Sequence, residues 1–370
     1  MAKQKTIAPA SAPAVLRPHA EVAYATELSA LAAADDRPRP TGWNLSPRAV
    51  VDYVVGTTLD DGTTVTTKYF GDRRLIEVAV ASLVTDRALL LVGVPGTAKT
   101  WVSEHLAAAI SGDSTRLVQG TAGMSEDALR YGWNYARLLA EGPSEAALVP
   151  SPVMSGMQAG KLVRLEELTR IPSDVQDALI TVLSEKILPI PELNREVQAV
   201  RGFNVIATAN DRDKGVNELS SALRRRFNTV VLPLPATLEE EVRIVSERSG
   251  AAAAGMELPP IKKDVAAEIT RLVTIFRELR NGRTEDGRTQ VKVPTATLST
   301  AEAISVVNQA RALGHHFGDG ARELAPEHLA ASLTGAIVKD RTQDEAVWRE
   351  YLEVVVRNRN GWEDLWEVLK

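Results

Sequence analysis

The run GVPGTAKT, from Gly93 to Thr100, constrains this chain more than any other segment because of what stands on either side of it. Before it lies RALLLV (Arg87–Val92), short and nearly all apolar, as a strand buried on both faces must be. After it, KTWVSEHLAAAI (Lys99–Ile110) has the pattern of a helix, closed by Gly112 near its end. A strand, a Gly-rich turn and a helix in that order aim free backbone N–H groups and the positive helix end at an anion. The loop residues Gly93, Pro95, Gly96, Thr97, Ala98, Lys99 and Thr100 are therefore candidate ligands of a nucleoside triphosphate. Lys99 would reach the β- and γ-phosphates and the Thr100 hydroxyl would ligate Mg²⁺. The usual pattern requires Gly immediately before the Lys; here that position is Ala98, whose methyl group stands where the backbone approaches the nucleotide. Taken alone, the loop also reads as a Gly-rich structural turn.

Composition bounds the rest. A chain of 370 residues with 44% hydrophobic content is long enough for two or three domains around well-buried cores. A net charge of −5 gives no global electrostatic case for nucleic acid or an anionic membrane. The absence of cysteine excludes disulfides, thiolate metal sites and a cysteine nucleophile, and fits a reducing compartment. The N-terminus MAKQKTIAPASAPAV has no continuous apolar segment, and no window approaches the roughly 18 apolar residues of a membrane span. A cytoplasmic location is the expectation.

Three zones follow along the chain. Residues 1–45 are rich in Ala and Pro, with one helical island at Glu21–Ala34 before RPRPTG, and read as a mobile tail with a docking helix. Residues 46–234 alternate apolar strands with helices, from a Ser46-Pro47 helix start through a turn at Asp60–Gly62 and a helix at Arg73–Val84, which argues for an α/β core with a parallel sheet covered on both faces. Residues 235–370 show helical patterns at Leu238–Arg248, Lys263–Leu279, Leu298–Ala312 and Asp344–Val356, and read as an all-helical second domain.

Three segments downstream of the loop carry candidate chemistry. KLVRLEE (Lys161–Glu167) ends a strand in two adjacent carboxylates, an arrangement in which one holds the Mg²⁺ shell and the next polarises the attacking water. FNVIATAND (Phe203–Asp211) is a second strand, ending in Asn210, whose amide can orient that water. SSALRRRF (Ser220–Phe227) offers an Arg cluster suited to the developing phosphoryl charge of a neighbouring subunit's nucleotide. Read singly, these are equally a solvated strand edge, a turn former and a basic face; in this order behind a phosphate loop they support one another.

With those residues in place, the segment from Tyr69 to Phe227 resembles the AAA+ superfamily and, within it, the MoxR family. KYFGDRRLIEVAVASL resembles the box that opens the family's ATPase module, with Gly71 and Asp72 at the adenine-side position. GVPGTAKT matches the family's preference for Ala before the Lys. RLEELTRIPSDVQDALITVLSEK resembles its long acidic segment, leading into a hairpin at Ile187–Arg201 ahead of Asn210. The resemblance implies a P-loop sheet core with a helical lid, ATP with Mg²⁺, and a homo-hexameric ring with sites between subunits. It further implies remodelling of a protein client, with a von Willebrand A domain partner. Residue by residue, Glu166 takes the metal-shell role beside Thr100, Glu167 activates water, Asn210 is sensor 1, and Arg226 is the finger acting in trans, with Arg225 as the alternative.

The chain departs from the family in three places. Glu166 replaces an Asp; Arg164 interrupts a strand that should be apolar on both faces, so it either pairs with a buried carboxylate or lies near the sheet end with its stem packed; and Thr295 stands where the lid's sensor 2 Arg is expected, so either another basic residue supplies that charge or the lid reads nucleotide weakly. These features suggest a slow or partner-regulated ATPase. Two rivals share the motifs: a nucleic-acid motor, for which Arg195 near the hairpin tip speaks and the neighbouring Glu192 and Glu196 do not, and a nucleotide-gated scaffold with little turnover. Met124, Tyr131 and Trp133 read as ring-pore residues or as ordinary packing. Trp348, Trp362 and Trp366 read as lid core, and His315 and His316 as exposed loop residues.

Overall fold

A computed structural model of the chain describes residues 15–210, 217–259, 265–295, 297–318 and 324–370. It begins with two short helices, α1 (Ala20–Ala23) and α2 (Ala25–Ala34), then α3 (Pro47–Val55) and a small hairpin of β1 (Thr57–Thr58) and β2 (Thr64–Val65). The Asp60–Gly62 turn closes that hairpin, and the Ser46 hydroxyl caps α3 ahead of Pro47. Next come α4 (Arg73–Val84), β3 (Ala88–Gly93), α5 (Lys99–Ser111) and β4 (Leu117–Gln119). An excursion follows through β5 (Tyr131–Trp133), α6 (Tyr135–Glu141) and β6 (Leu148–Pro150), then α7 (Pro152–Ala159), β7 (Leu162–Glu166) and α8 (Ser173–Ser184). The hairpin β8 (Ile187–Ile190) and β9 (Arg195–Gln198) leads to β10 (Asn204–Asn210), α9 (Ser221–Arg224) and β11 (Phe227–Val231).

Five of these strands form one parallel sheet in the order β11-β3-β10-β7-β4. Alternation along β3 shows why both faces must be covered. Ala88 and Leu90 enter one apolar core with Val163, Leu165, Val205 and Ala207, while Leu89 and Leu91 enter the other with Leu162 and Ile206. In register, Asn210 at the end of β10 stands opposite Gly93 at the start of the phosphate loop. The parallel α/β core with helices on both faces is the expected architecture.

The helical island expected at Glu21–Ala34 as a docking helix is present as α1 and α2 and packs on the core. Leu31, Trp43 and Leu45 are buried, Tyr24 and Leu28 pack against the same core, and Asp35 accepts the N–H and hydroxyl of Ser46, each at 2.7 Å. An Ala-rich helix of this kind docks through a few large side chains and ion pairs, which composition does not register. Residues 1–14 lie outside the described residues.

Among the described residues that follow, the elements are helices: α10 (Leu238–Gly255), α11 (Ala266–Asn281), α12 (Thr300–Phe317), α13 (Pro326–Ile337), α14 (Arg341–Tyr351) running into a π-helical turn at Leu352–Val356, and α15 (Glu363–Leu369). Helices α13 and α15 are additions to the segments read from sequence. Trp348 and Trp362 are buried and Trp366 is partly buried in this domain's own core. His315 and His316 are exposed, as expected, but on the last turn of α12 and not in a loop. Among the described residues no helix is long and apolar enough to cross a membrane.

Candidate functional site

The phosphate loop is held open by glycine and by one strained residue. A Cβ on Gly96 would lie 2.3 Å from Ser299 Cβ, so the loop meets the second domain only because Gly96 has no side chain. Ala98 sits at φ 61, the left-handed region that favours glycine, which costs about 1 kcal/mol for a residue with a Cβ. Lys99 is buried and donates to the carbonyls of Gly93 and Val94, both at 2.9 Å. The Thr97 hydroxyl closes the turn on Val94 O at 3.0 Å.

Glu166 is the most heavily coordinated carboxylate of the site. Thr100 Oγ1 donates to it at 2.9 Å and Thr208 Oγ1 at 2.6 Å, and Ser103 Oγ donates to its other oxygen. Arg164, two residues earlier on the same strand face, completes the set with Nη2 at 3.0 Å from Oε1. The residue that interrupts the apolar strand is thus a counter-ion: its guanidinium also reaches Ser103 Oγ at 3.1 Å and Ser114 O at 3.2 Å. A loop hydroxyl bonded to a strand-end carboxylate is the oxygen donor set that Mg²⁺ takes, so Thr100 and Glu166 fit that ion.

Glu167 takes a different environment. Its backbone is left-handed at φ 54, its N–H donates to Thr208 Oγ1 at 3.0 Å, and its carboxylate pairs with Arg170 Nε at 2.9 Å. The strained turn puts its side chain 38% exposed, whereas that of Glu166 is 2% exposed. Adjacent acids therefore differ in access to water, which suits one to hold and the other to act as a base.

A cavity of about 500 Å³ joins these pieces, within the roughly 300–1,000 Å³ of small-molecule sites. Pro95 to Thr100 line it, with Glu167 and Asn210 on one side. Lys68, Tyr69 and Phe70 form another wall. Gly71 and Asp72, expected on the adenine side, stand just past that wall: Gly71 packs on the Tyr69 ring, and Asp72 caps α4 by accepting from Arg74 N–H at 2.8 Å. From the second domain, the cavity receives Thr300, Ala301 and Ile304 of α12 and Arg248 of α10. Thr295 does not line it; its hydroxyl and N–H bind Asp344. Among the described lid residues the cation that faces the cavity is Arg248, stacked 4.4 Å over Trp101 and bonded to Lys68 O at 2.6 Å.

Arg226 lies outside the cavity, donating to Ser184 Oγ at 2.6 Å and to Ala222 O, while Arg224 and Arg225 are exposed. Tyr131 and Trp133 pack edge to face at 5.9 Å against the sheet core, with Met124 packed against the same core. The Tyr131 hydroxyl donates to Glu192, and Arg195 pairs with Glu145, so the β8–β9 hairpin is bound to the β5–β6 excursion. Sequence reasoning missed Ser103, Thr208 and Arg248. The first two had a signal, one helical turn after Thr100 and two strand positions before Asn210.

Residues 88–227 match the AAA domain of the dynein-related subfamily, and residues 239–370 match the C-terminal domain of YehL-like AAA+ ATPases. The chain is 42% identical over 342 residues to the uncharacterised protein YehL of Escherichia coli, with 91% of each chain covered. An uncharacterised protein of Staphylococcus aureus is 27% identical over 157 residues, 42% of this chain and 59% of that one. The crystal structure of NtrX from Brucella abortus in complex with ATP is similar at a TM-score of 0.48 and 14% identity, covering 72% of this chain and 54% of that chain. With the two family models matching residues 88–227 and 239–370 and YehL matching 91% of the chain at 42% identity, the chain belongs to the YehL-like family of MoxR-type AAA+ ATPases.

Proposed function

We propose that this ATPase works as a ring, most simply a homo-hexamer, that hydrolyses ATP at subunit interfaces to remodel a protein client. The observation that carries the reading is the division of the catalytic groups: Glu167 and Asn210 line the cavity, whereas Arg226 is turned away from it. One chain holds the nucleotide and the base, and a neighbour's Arg226 supplies a further cation for the developing phosphoryl charge. Lys99 and the loop N–H groups bind the phosphates, and Thr100 with Glu166 would hold Mg²⁺. When bound, that ion neutralises charge on the phosphate oxygens. Asn210 orients water, and Glu167 takes its proton as the water attacks.

Slow or partner-regulated turnover belongs to the same reading. Glu166 is compensated by Arg164, Glu167 is paired with Arg170, and the lid cation at the cavity, Arg248, is itself held by Trp101 and Lys68 O. A protein carrying a von Willebrand A domain fits as the regulator by family resemblance, and a cytoplasmic setting is consistent with a cysteine-free chain. The test is steady-state ATP hydrolysis against protein concentration, with Mg²⁺ present and Glu167→Gln in parallel. Turnover per chain that rises steeply as subunits associate and vanishes in the variant is expected. Turnover independent of concentration would place the whole reaction within one chain and overturn the shared site.

A further inference from the structure

The N-terminal segment holds the counter-ions of two buried charges beside the cavity. Arg17 reaches the cavity and pairs with Glu104 of α5 at 2.7 Å, and the N–H of Ala20 donates to the same carboxylate at 3.2 Å. The Glu104 side chain is 7% exposed. Just past the start of α1, Glu21 accepts the N–H and hydroxyl of Ser114, beyond the far end of α5, at 3.1 and 2.7 Å. Tyr24 rests edge-on against His105 of α5 at 5.0 Å. Glu27 then pairs with the Lys68 ammonium, whose side chain is wholly buried and which also donates to Thr66 O at 2.7 Å. Lifting the segment would strip both Glu104 and Lys68 of their counter-ions.

Those contacts continue into the lid. Lys68, Tyr69 and Phe70 are the cavity wall, and the carbonyl of Lys68 accepts the guanidinium of Arg248. Arg248 in turn stacks on Trp101, one residue after the Mg²⁺-site Thr100. An unbroken chain of contacts thus runs from Glu27 through Lys68 to the lid helix α10 and back to the phosphate-loop helix.

We propose that residues 17–34 form a strap that governs nucleotide exchange, resting on the reading of this cavity as the nucleotide site. Docked, the strap holds the Lys68–Phe70 wall against Arg248 and retains nucleotide. Lifted, it frees wall and lid to part, and ADP leaves. Thermodynamic linkage makes the effect reciprocal: nucleotide must hold the strap down by the same factor by which the docked strap raises nucleotide affinity.

The test is release of N-methylanthraniloyl-ADP from the full chain and from Arg17→Ala and Glu21→Ala. Arg17 faces the cavity, whereas Glu21 grips Ser114 away from its lining. Both variants are expected to release the analogue about 5–10-fold faster, the low end of typical coupling between sites. In the unaltered chain, deuterium uptake by residues 20–34 should slow when ADP is added. Faster release in Arg17→Ala alone would make Arg17 a direct nucleotide contact and overturn the strap. Unchanged release in both, or uptake indifferent to ADP, would overturn it as well. No binding of the analogue by the unaltered chain is a separate failure, that of the nucleotide reading itself.

Discussion

Arg164 and Glu166 stand two positions apart on β7 with guanidinium and carboxylate 3.0 Å apart and neither side chain more than 5% exposed. The carboxylate assigned to the metal shell is therefore already compensated by a cation of its own strand. Removing one member of such a buried pair strands the other, at about 3–5 kcal/mol, whereas replacing both with apolar groups is often neutral. Arg164→Leu is expected to lower the unfolding free energy in urea by that amount, and Arg164→Leu with Glu166→Leu to recover much of it. A single-variant midpoint equal to the parent's would mean that the hydroxyls of Thr100, Ser103 and Thr208 hold Glu166 unaided.

Glu167 and Arg170 form the second acid-base pair of the site, but 38% and 56% exposed. A pair open to solvent is worth about 0–1 kcal/mol, so it can restrain Glu167, the proposed base, only weakly. Arg170→Ala is expected to raise basal turnover, by no more than about fivefold on that scale. Glu167→Gln, by contrast, should retain ATP binding and lose about 100-fold or more in hydrolysis, the effect of deleting a positioned base. Equal hydrolysis in Glu167→Gln and the parent would remove Glu167 from the mechanism.

Arg226 makes its visible contacts to Ser184 and Ala222 of its own chain, so the proposed role as a finger requires it to turn outward. Arg226→Ala should abolish hydrolysis, as loss of a finger costs about 10³-fold or more, with nucleotide affinity little changed. Mixing it with Lys99→Ala subunits should restore part of the activity, because intact cavities then meet intact fingers. No recovery in mixed rings, together with full recovery when Arg225→Ala is used instead, would reject Arg226 as the finger.

What was legible in the sequence is what local pattern decides. The phosphate loop, the strands ending in Glu166 and Asn210, and helix bounds such as Arg73–Val84 are set by residues adjacent along the chain. What was not legible depends on contacts between distant segments. Pairing with a buried carboxylate is one of two readings of Arg164, but its other partners, Ser103 and Ser114, lie about 50–60 residues away and could not be named from the strand. The docking helix at Glu21–Ala34 was legible, but its seat was not, because α2 buries Leu31 alone among its residues and leaves no clear apolar stripe to read. With Thr295 in place of the lid Arg, which other cation faces the cavity was open; it is Arg248, since which helix faces the cavity is a matter of lid packing that no local motif states.

The same buried cluster makes the chain's stability depend on acid. His105 sits on α5 beneath the strap, its Nδ1 2.9 Å from the Tyr53 hydroxyl and its ring 4.4 Å from Trp101. Burial first, then the cations Lys68, Arg248, Arg164 and Arg17, lower its pKa from 6.5 to about 2. The folded chain thus keeps His105 neutral where the unfolded chain protonates it, so the unfolded state binds the extra proton throughout the window between those values. Stability contributed by neutral His105 is complete above pH 6.5 and is lost as pH falls, at up to about 1.4 kcal/mol per pH unit. Thermal unfolding between pH 7 and roughly pH 4.5 should therefore show a steep acid limb that His105→Gln, which cannot take up the proton, makes shallower. Parallel limbs in the two proteins would assign the acid sensitivity to the site's carboxylates instead.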